Sequence, residues 1–257
     1  LDRLESLSQR RFYAAGVRRA KEIRMSALAI NPVQRVVRFY EASIGKKAVM
    51  AITGVILFGY VLAHLIGNLQ IYSPNPDQIN RYAAFLHNPS NVVPLWGARL
   101  VLLIAVILHI TAAVQLWRMA QAARPVAYVK KDEAATSYAS RTMRWSGVIV
   151  GAFVIFHVLH LTAGAVVPIQ EIGPNEPNVR ANVISGFQNP AISGFYILAM
   201  ILLCMHLYHG LWSMFQSLGF SHPRYTPKLK KGAAAFAILI AIGNCSIPIA
   251  VLTGLVR

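Results

Sequence analysis

The chain has 257 residues, 56 % of them hydrophobic and 13 % charged, against about 25 % charged in an average soluble domain. Its 25 lysines and arginines outweigh 9 acidic residues and give a formal charge of +16. These values exclude an ordinary soluble enzyme; because each basic cluster flanks a long apolar stretch, membrane-surface contact accounts for the charge without nucleic-acid binding.

In chain order, residues 1–45 form a basic N-terminal segment, cytoplasmic or interfacial, ahead of a transmembrane domain over 46–257. Leu1, Leu4, Leu7, Phe12, Val17 and Ile23 lie among arginines as in a weakly periodic interfacial helix. The compact apolar core of a cleavable leader is absent from this stretch. Asn31-Pro32 predicts a helix start, since Asn caps and Pro fits the first turn.

Five apolar runs follow, over 48–69, 95–117, 145–168, 191–215 and 233–256. Each has about the 20 residues that cross a bilayer as a helix. The connection after span one predicts a short amphipathic helix over 77–87, in which His87 is an ordinary polar residue. The connection over 169–189 reads as a loop covering one mouth of the bundle. Pro248 predicts a kink in span five, which alone lacks histidine and is expected at the periphery.

Charge placement sets the expected topology. Arg35, Arg38, Lys46 and Lys47 precede span one, Arg118, Arg124, Lys130, Lys131, Arg141 and Arg144 join spans two and three, and Arg224, Lys228, Lys230 and Lys231 join spans four and five. The other two connections hold only Arg81 and Arg180. By the positive-inside rule the N-terminus is cytoplasmic and Arg257 lies outside. Cys204 and Cys245 fall within spans and read as small buried hydrophobes.

Six histidines stand inside four of the spans: His64, His109, His157 with His160, and His206 with His209. Imidazole in hydrocarbon is costly unless its nitrogens are used. At about 1.5 Å rise per residue, His64 and the pair on span three lie toward the outer side, whereas His109 and His209 lie toward the inner side. Two levels on four helices suit two linear, bis-imidazole haem ligations better than zinc, which needs three or four converging ligands. The Cys-x-x-Cys-His attachment of a c-type haem is absent, so the expectation is an all-α bundle of five transmembrane helices whose four-helix core holds two b haems. Depth alone slightly favours His160 over His157 as the partner of His64, without deciding between them.

The chain carries Ser43-Ile44-Gly45-Lys46-Lys47, Thr53-Gly54 and His64-Leu65-Ile66-Gly67-Asn68-Leu69 on span one, and Pro94-Leu95-Trp96-Gly97-Ala98-Arg99 with His109 on span two. Phe156-His157-Val158-Leu159-His160 marks span three; His209-Gly210-Leu211-Trp212-Ser213 and Phe215-Gln216-Ser217-Leu218-Gly219 mark span four. With these motifs, over roughly residues 40–257, the chain resembles the five-helix dihaem cytochrome b anchor of succinate dehydrogenases and fumarate reductases. The resemblance implies His64 and His157 on a distal haem and His109 and His209 on a proximal one, with His160 a further ligand or a propionate or quinone neighbour. It also implies an iron-sulfur subunit and an FAD-carrying flavoprotein as partners, with the succinate chemistry on the latter, menaquinone or another quinone as electron acceptor, and a bacterial inner membrane as the location. The family's dihaem fumarate reductases place a glutamate two residues before the span-four ligand; here that position is Leu207, which puts their proton path in doubt.

Arg99, at the outer end of span two, is a candidate partner for a haem propionate or an interfacial anchor. A quinone needs an apolar slot with a few polar groups; Gln70 and Tyr72 offer these at the outer side, Ser43 and Lys46 at the inner side. The alternatives are a cytochrome b anchor for another dehydrogenase or a hydrogenase, and a transporter that uses the histidines as proton relays.

Overall fold

The computed structural model describes residues 31–123, 138–173 and 176–257. The expected interfacial helix over 1–30 and the loop cations Arg124, Lys130 and Lys131 lie outside the described residues, as do the side chains of Arg141 and Arg144. The chain divides into two compact units, residues 1–46 and 47–257.

In the first unit, helix α1 (Pro32–Glu41) starts where the sequence predicts. Asn31 Oδ1 accepts the Gln34 amide at 2.8 Å, and Pro32 occupies a first-turn position whose amide would lack a partner. After Ala42 the Lys46 ammonium turns back and donates to the carbonyls of Tyr40 and Glu41, 2.8 Å each. It thereby satisfies last-turn acceptors that have no donor within the helix. A Cβ at Gly45 would overlap the Phe39 carbonyl, so this corner requires glycine. Helix α2 (Ser43–Asn68) begins here.

The second unit holds the rest of α2, a 3₁₀ turn (Leu69–Tyr72), α3 (Gln78–His87), α4 (Val92–Ala122) and α5 (Tyr138–Leu161). A small antiparallel hairpin of β1 (Glu171–Gly173) and β2 (Glu176–Pro177) leads to α6 (Val179–Phe187), α7 (Pro190–Ser217) and α8 (Thr226–Leu252). Five of these helices, α2, α4, α5, α7 and α8, have 24 residues or more, and four stretches built on α2, α4, α7 and α8 combine span length with span hydropathy. The apolar run of the remaining one, α5, is the shorter Trp145–Leu161. The protein is an all-α membrane bundle.

Three expectations are corrected. Span three ends at Leu161 instead of 168, and span five at Leu252 instead of 256. At both ends a glycine with positive φ, Gly164 (65°) and Gly254 (73°), turns the chain so that Ala165 and Val256 donate back to the carbonyls of Leu159 and Ala250. The 169–189 stretch is more than a loop: Asn178 Oδ1 accepts the Ala181 amide at 3.1 Å and starts α6.

Span five is not peripheral. Helix α8 buries Ala233, Ala237, Ile240, Ile247, Pro248, Ala250 and Val251 and lies close against α7. Its small residues let two backbones approach, which is how membrane helices gain contact without a hydrophobic driving force. The main apolar cluster joins Phe153 of α5, Phe187 of α6, Tyr196, Ala199 and Met200 of α7, and Ile247 and Val251 of α8. It lies at one end of the bundle, here termed the cap end, where α3, the hairpin, α6 and the C-terminus meet.

Polar groups tie the cap together. Asn80 Nδ2 donates to Asn178 and its Oδ1 accepts the Arg180 amide, while Asn182 exchanges two bonds with the Gln170 backbone. Arg180 reaches the carbonyls of Ile71 (3.2 Å) and Arg257 (3.0 Å), linking the end of α2 to the C-terminus. Arg118 of α4 and Lys228, Lys230 and Lys231 of α8 lie toward the opposite end, termed the basic end.

Candidate histidine pairs inside the bundle

Helix α2 carries His64 one turn before its end, and α5 carries His157 in the last described turns, so both rings meet toward the cap end. Their centroids lie 5.7 Å apart and their planes are 87° apart. His64 also stacks on Tyr60 at 5.4 Å. His157 Nδ1 lies 3.3 Å from the Tyr196 hydroxyl of α7, leaving Nε2 as the free nitrogen of that ring.

His160 points elsewhere. It is only 1 % exposed, its Nδ1 lies 2.9 Å from the same Tyr196 hydroxyl, and its ring packs on Phe187. A Cβ at Gly186 would lie 2.6 Å from His160 Nε2, so the ring rests directly on the backbone of α6. Depth slightly favoured His160 on span three, but the structure brings His157 to His64 and wedges His160 between α6 and α7.

Toward the basic end, His109 of α4 faces His206 of α7 with centroids 6.4 Å apart and planes 56° apart. Thr53 of α2 fixes the first ring: its hydroxyl donates to the Val49 carbonyl at 2.7 Å and offers a lone pair to His109 Nδ1 at 3.1 Å. Two glycines lie beside the rings: a Cβ at Gly54 or Gly147 would stand 3.6 Å, ordinary contact distance, from the Cε1 of His109 or His206. His209, the span-four residue singled out in the sequence, lies instead beside Trp212 at 5.7 Å. The sequence placed His206 among the buried histidines but left it without a partner.

The donor chemistry fits haem iron. Two metal-nitrogen bonds of about 2 Å on opposite sides of one ion, plus half an imidazole at each end, separate ring centres by about 6 Å. The observed 5.7 and 6.4 Å match that span. His206 Nδ1 is buried with no partner, as are His209 Nδ1 and Trp212 Nε1. A buried imidazole nitrogen left without a partner is costly, and a metal is one way to use the ring. Among the described residues no three His, Cys, Asp or Glu side chains converge, so paired ligation is the arrangement this donor set offers.

The remaining sequence candidates are scattered. Arg99 lies over the Trp96 ring at 4.9 Å. Gln70 accepts from Gln78 Nε2 at 3.2 Å, and the Tyr72 hydroxyl donates to Ser246 at 2.9 Å, both at the cap end. Ser43 is exposed at the start of α2, and Lys46 is buried with its ammonium on backbone carbonyls. At the basic end the Lys230 ammonium lies 4.5 Å over the Trp212 ring.

Comparison with known families gives one match: residues 118–243 fit the family model described as succinate dehydrogenase/fumarate reductase transmembrane subunit. That stretch contains α5 to α7 and most of α8, and with them His157, His160, His206 and His209. Neither the curated proteins nor the solved structures yield a match.

Proposed function

We propose that the chain, whose residues 118–243 fit the succinate dehydrogenase/fumarate reductase transmembrane subunit family, anchors such a complex and binds two b-type haems between a partner iron-sulfur subunit and membrane quinone. The observation that carries this reading is the two facing imidazole pairs, each drawn from two different spans.

His64 and His157 would hold the cap-end haem, and His109 and His206 the other. The resemblance implied His209 for the second pair; ring facing favours His206, one turn away. When bound, the two haems supply one-electron transfer across the thickness of the bundle.

The chain's own residues prepare that chemistry. Tyr196 and Thr53 each engage an Nδ1, which restrains ring rotation and would leave Nε2 as the nitrogen for iron. Phe153, Phe156 and Tyr196 exclude water around the cap-end pair. In this reading the basic end faces the cytoplasm of a bacterial inner membrane, where Lys47, Arg118 and Lys230 meet the iron-sulfur partner or anionic lipid. The quinone site belongs at the cap end near Gln70 and Tyr72, because Lys46 already spends its ammonium on the Tyr40 and Glu41 carbonyls. Succinate oxidation itself lies on the flavoprotein partner, and residues 1–45 serve as a basic interfacial segment.

The test is a comparison of two assays on the intact complex. His109→Ala or His206→Ala is expected to abolish succinate-to-quinone transfer while succinate oxidation with a soluble artificial acceptor continues. Retention of quinone reduction at the unmodified rate in both variants would overturn the proposal.

A further inference from the structure

We infer that Tyr196 is a positioning residue for the cap-end haem, and that with His160 it forms a hydrogen-bonded chain that lowers the reduction potential of that haem alone. The inference rests on the haem reading above and extends it to residues outside the ligand set.

The geometry gives a three-member chain. The Tyr196 hydroxyl stands 3.3 Å from His157 Nδ1 and 2.9 Å from His160 Nδ1. If His157 gives its Nε2 to iron, its Nδ1 carries the proton and must donate. Tyr196 therefore accepts from His157, and the phenolic hydrogen is left to donate to His160 Nδ1. That assignment places the His160 proton on Nε2, the atom buried without a partner against Gly186. The His157 and Tyr196 protons then each have an acceptor, while the His160 Nε2 proton has none.

The surroundings hold the chain still. Tyr196 packs edge-on to Phe153 (5.0 Å) and Phe187 (4.8 Å). Next to it on α7, the fully buried Ser193 donates to the Phe187 carbonyl at 2.7 Å and ties α7 to α6. His160 cannot rotate away, because α6 backbone at Gly186 closes its far side. Such rigidity is more than a lone buried histidine needs to be satisfied.

The consequence is electronic. A hydroxyl that gives its own proton away becomes a stronger acceptor, so its bond to His157 strengthens. Stronger withdrawal of the Nδ1 proton makes the imidazole a more electron-rich ligand, which favours the oxidised metal. Among the described residues the basic-end pair shows no such chain of side chains: His109 meets the Met50 backbone and Thr53, whose own proton goes to a backbone carbonyl. The two haems are thereby tuned separately.

The experiment is a spectroelectrochemical titration of the purified complex. Tyr196→Phe keeps the ring and removes the oxygen; it is expected to retain two haems, raise the cap-end midpoint and leave the other in place. The expected change is about tenfold in the equilibrium for sharing an electron between the haems, or about 59 mV for a one-electron couple. His160→Leu should shift the same midpoint in the same direction, whereas His160→Asn, which keeps an acceptor near the Nδ1 position, should stay close to the unmodified protein. Two retained haems with an unmoved cap-end midpoint in Tyr196→Phe, or equal shifts of both haems, would overturn the inference. Should Tyr196→Phe fail to assemble, the Leu and Asn variants at His160 decide it, and equal midpoints in that pair overturn it. Absence of haem from the unmodified complex would instead overturn the earlier reading.

Discussion

His206 and His209 sit three residues apart, about 60° apart around the helix axis, and both were legible as buried imidazoles in a span. Which one faces span two depends on the rotation of α7, set by its packing on α5 and α8, and a single sequence does not encode that rotation in any local pattern. The same holds for His157 and His160, where the deciding contacts come from Gly186 and Tyr196. The expected result is that His206→Ala loses one haem per complex while His209→Ala keeps both, read by pyridine haemochrome content per protein; loss in His209→Ala with retention in His206→Ala would return the assignment to His209. Thr53→Val, near in volume but without a hydroxyl, removes the hydroxyl partner of His109 Nδ1. Removal of such an outer partner costs 10- to 100-fold in metal affinity in typical sites, so basic-end haem occupancy is expected to fall by about tenfold or more on dilution or mild heating.

At the level of elements, the spans could be read from length and apolarity because lipid demands internally bonded backbone over about 20 residues. Their ends were harder. Apolar residues continue past Leu161 and Leu252, and only the positive φ of Gly164 and Gly254 ends the helices. Helix α6 was missed because it is nine residues long and mixed in polarity, with Asn178 as its one local signal. The cap it belongs to is held by Arg180, whose guanidinium links the Ile71 and Arg257 carbonyls. Charged hydrogen bonds contribute about 1.5–3 kcal/mol when well placed, less where water competes. Arg180→Ala is therefore expected to lower stability by about 1–3 kcal/mol and to speed amide exchange over residues 250–257; unchanged exchange there would show that the bonds do not hold the C-terminus.

For the whole molecule, five long helices put residues 69–91, 162–173, 176–189 and the C-terminus at one end, with Arg118 and Lys230 toward the other. The proposed orientation is checked by single cysteines and a membrane-impermeant maleimide: Ser73→Cys is expected to react from outside intact cells and Ser221→Cys only after the membrane is opened, and the reverse order would invert the topology. The bundle, the family that residues 118–243 fit and the four-span histidine set were all visible in composition and motif. The facing of rings and the tuning groups behind them were not, because they depend on contacts between helices distant in the chain. The central claim is that two imidazole pairs each hold one b-type haem. Its most direct test is a reduced-minus-oxidised spectrum with pyridine haemochrome quantitation on the purified complex: two b haems per chain are predicted, and one or none would contradict the account.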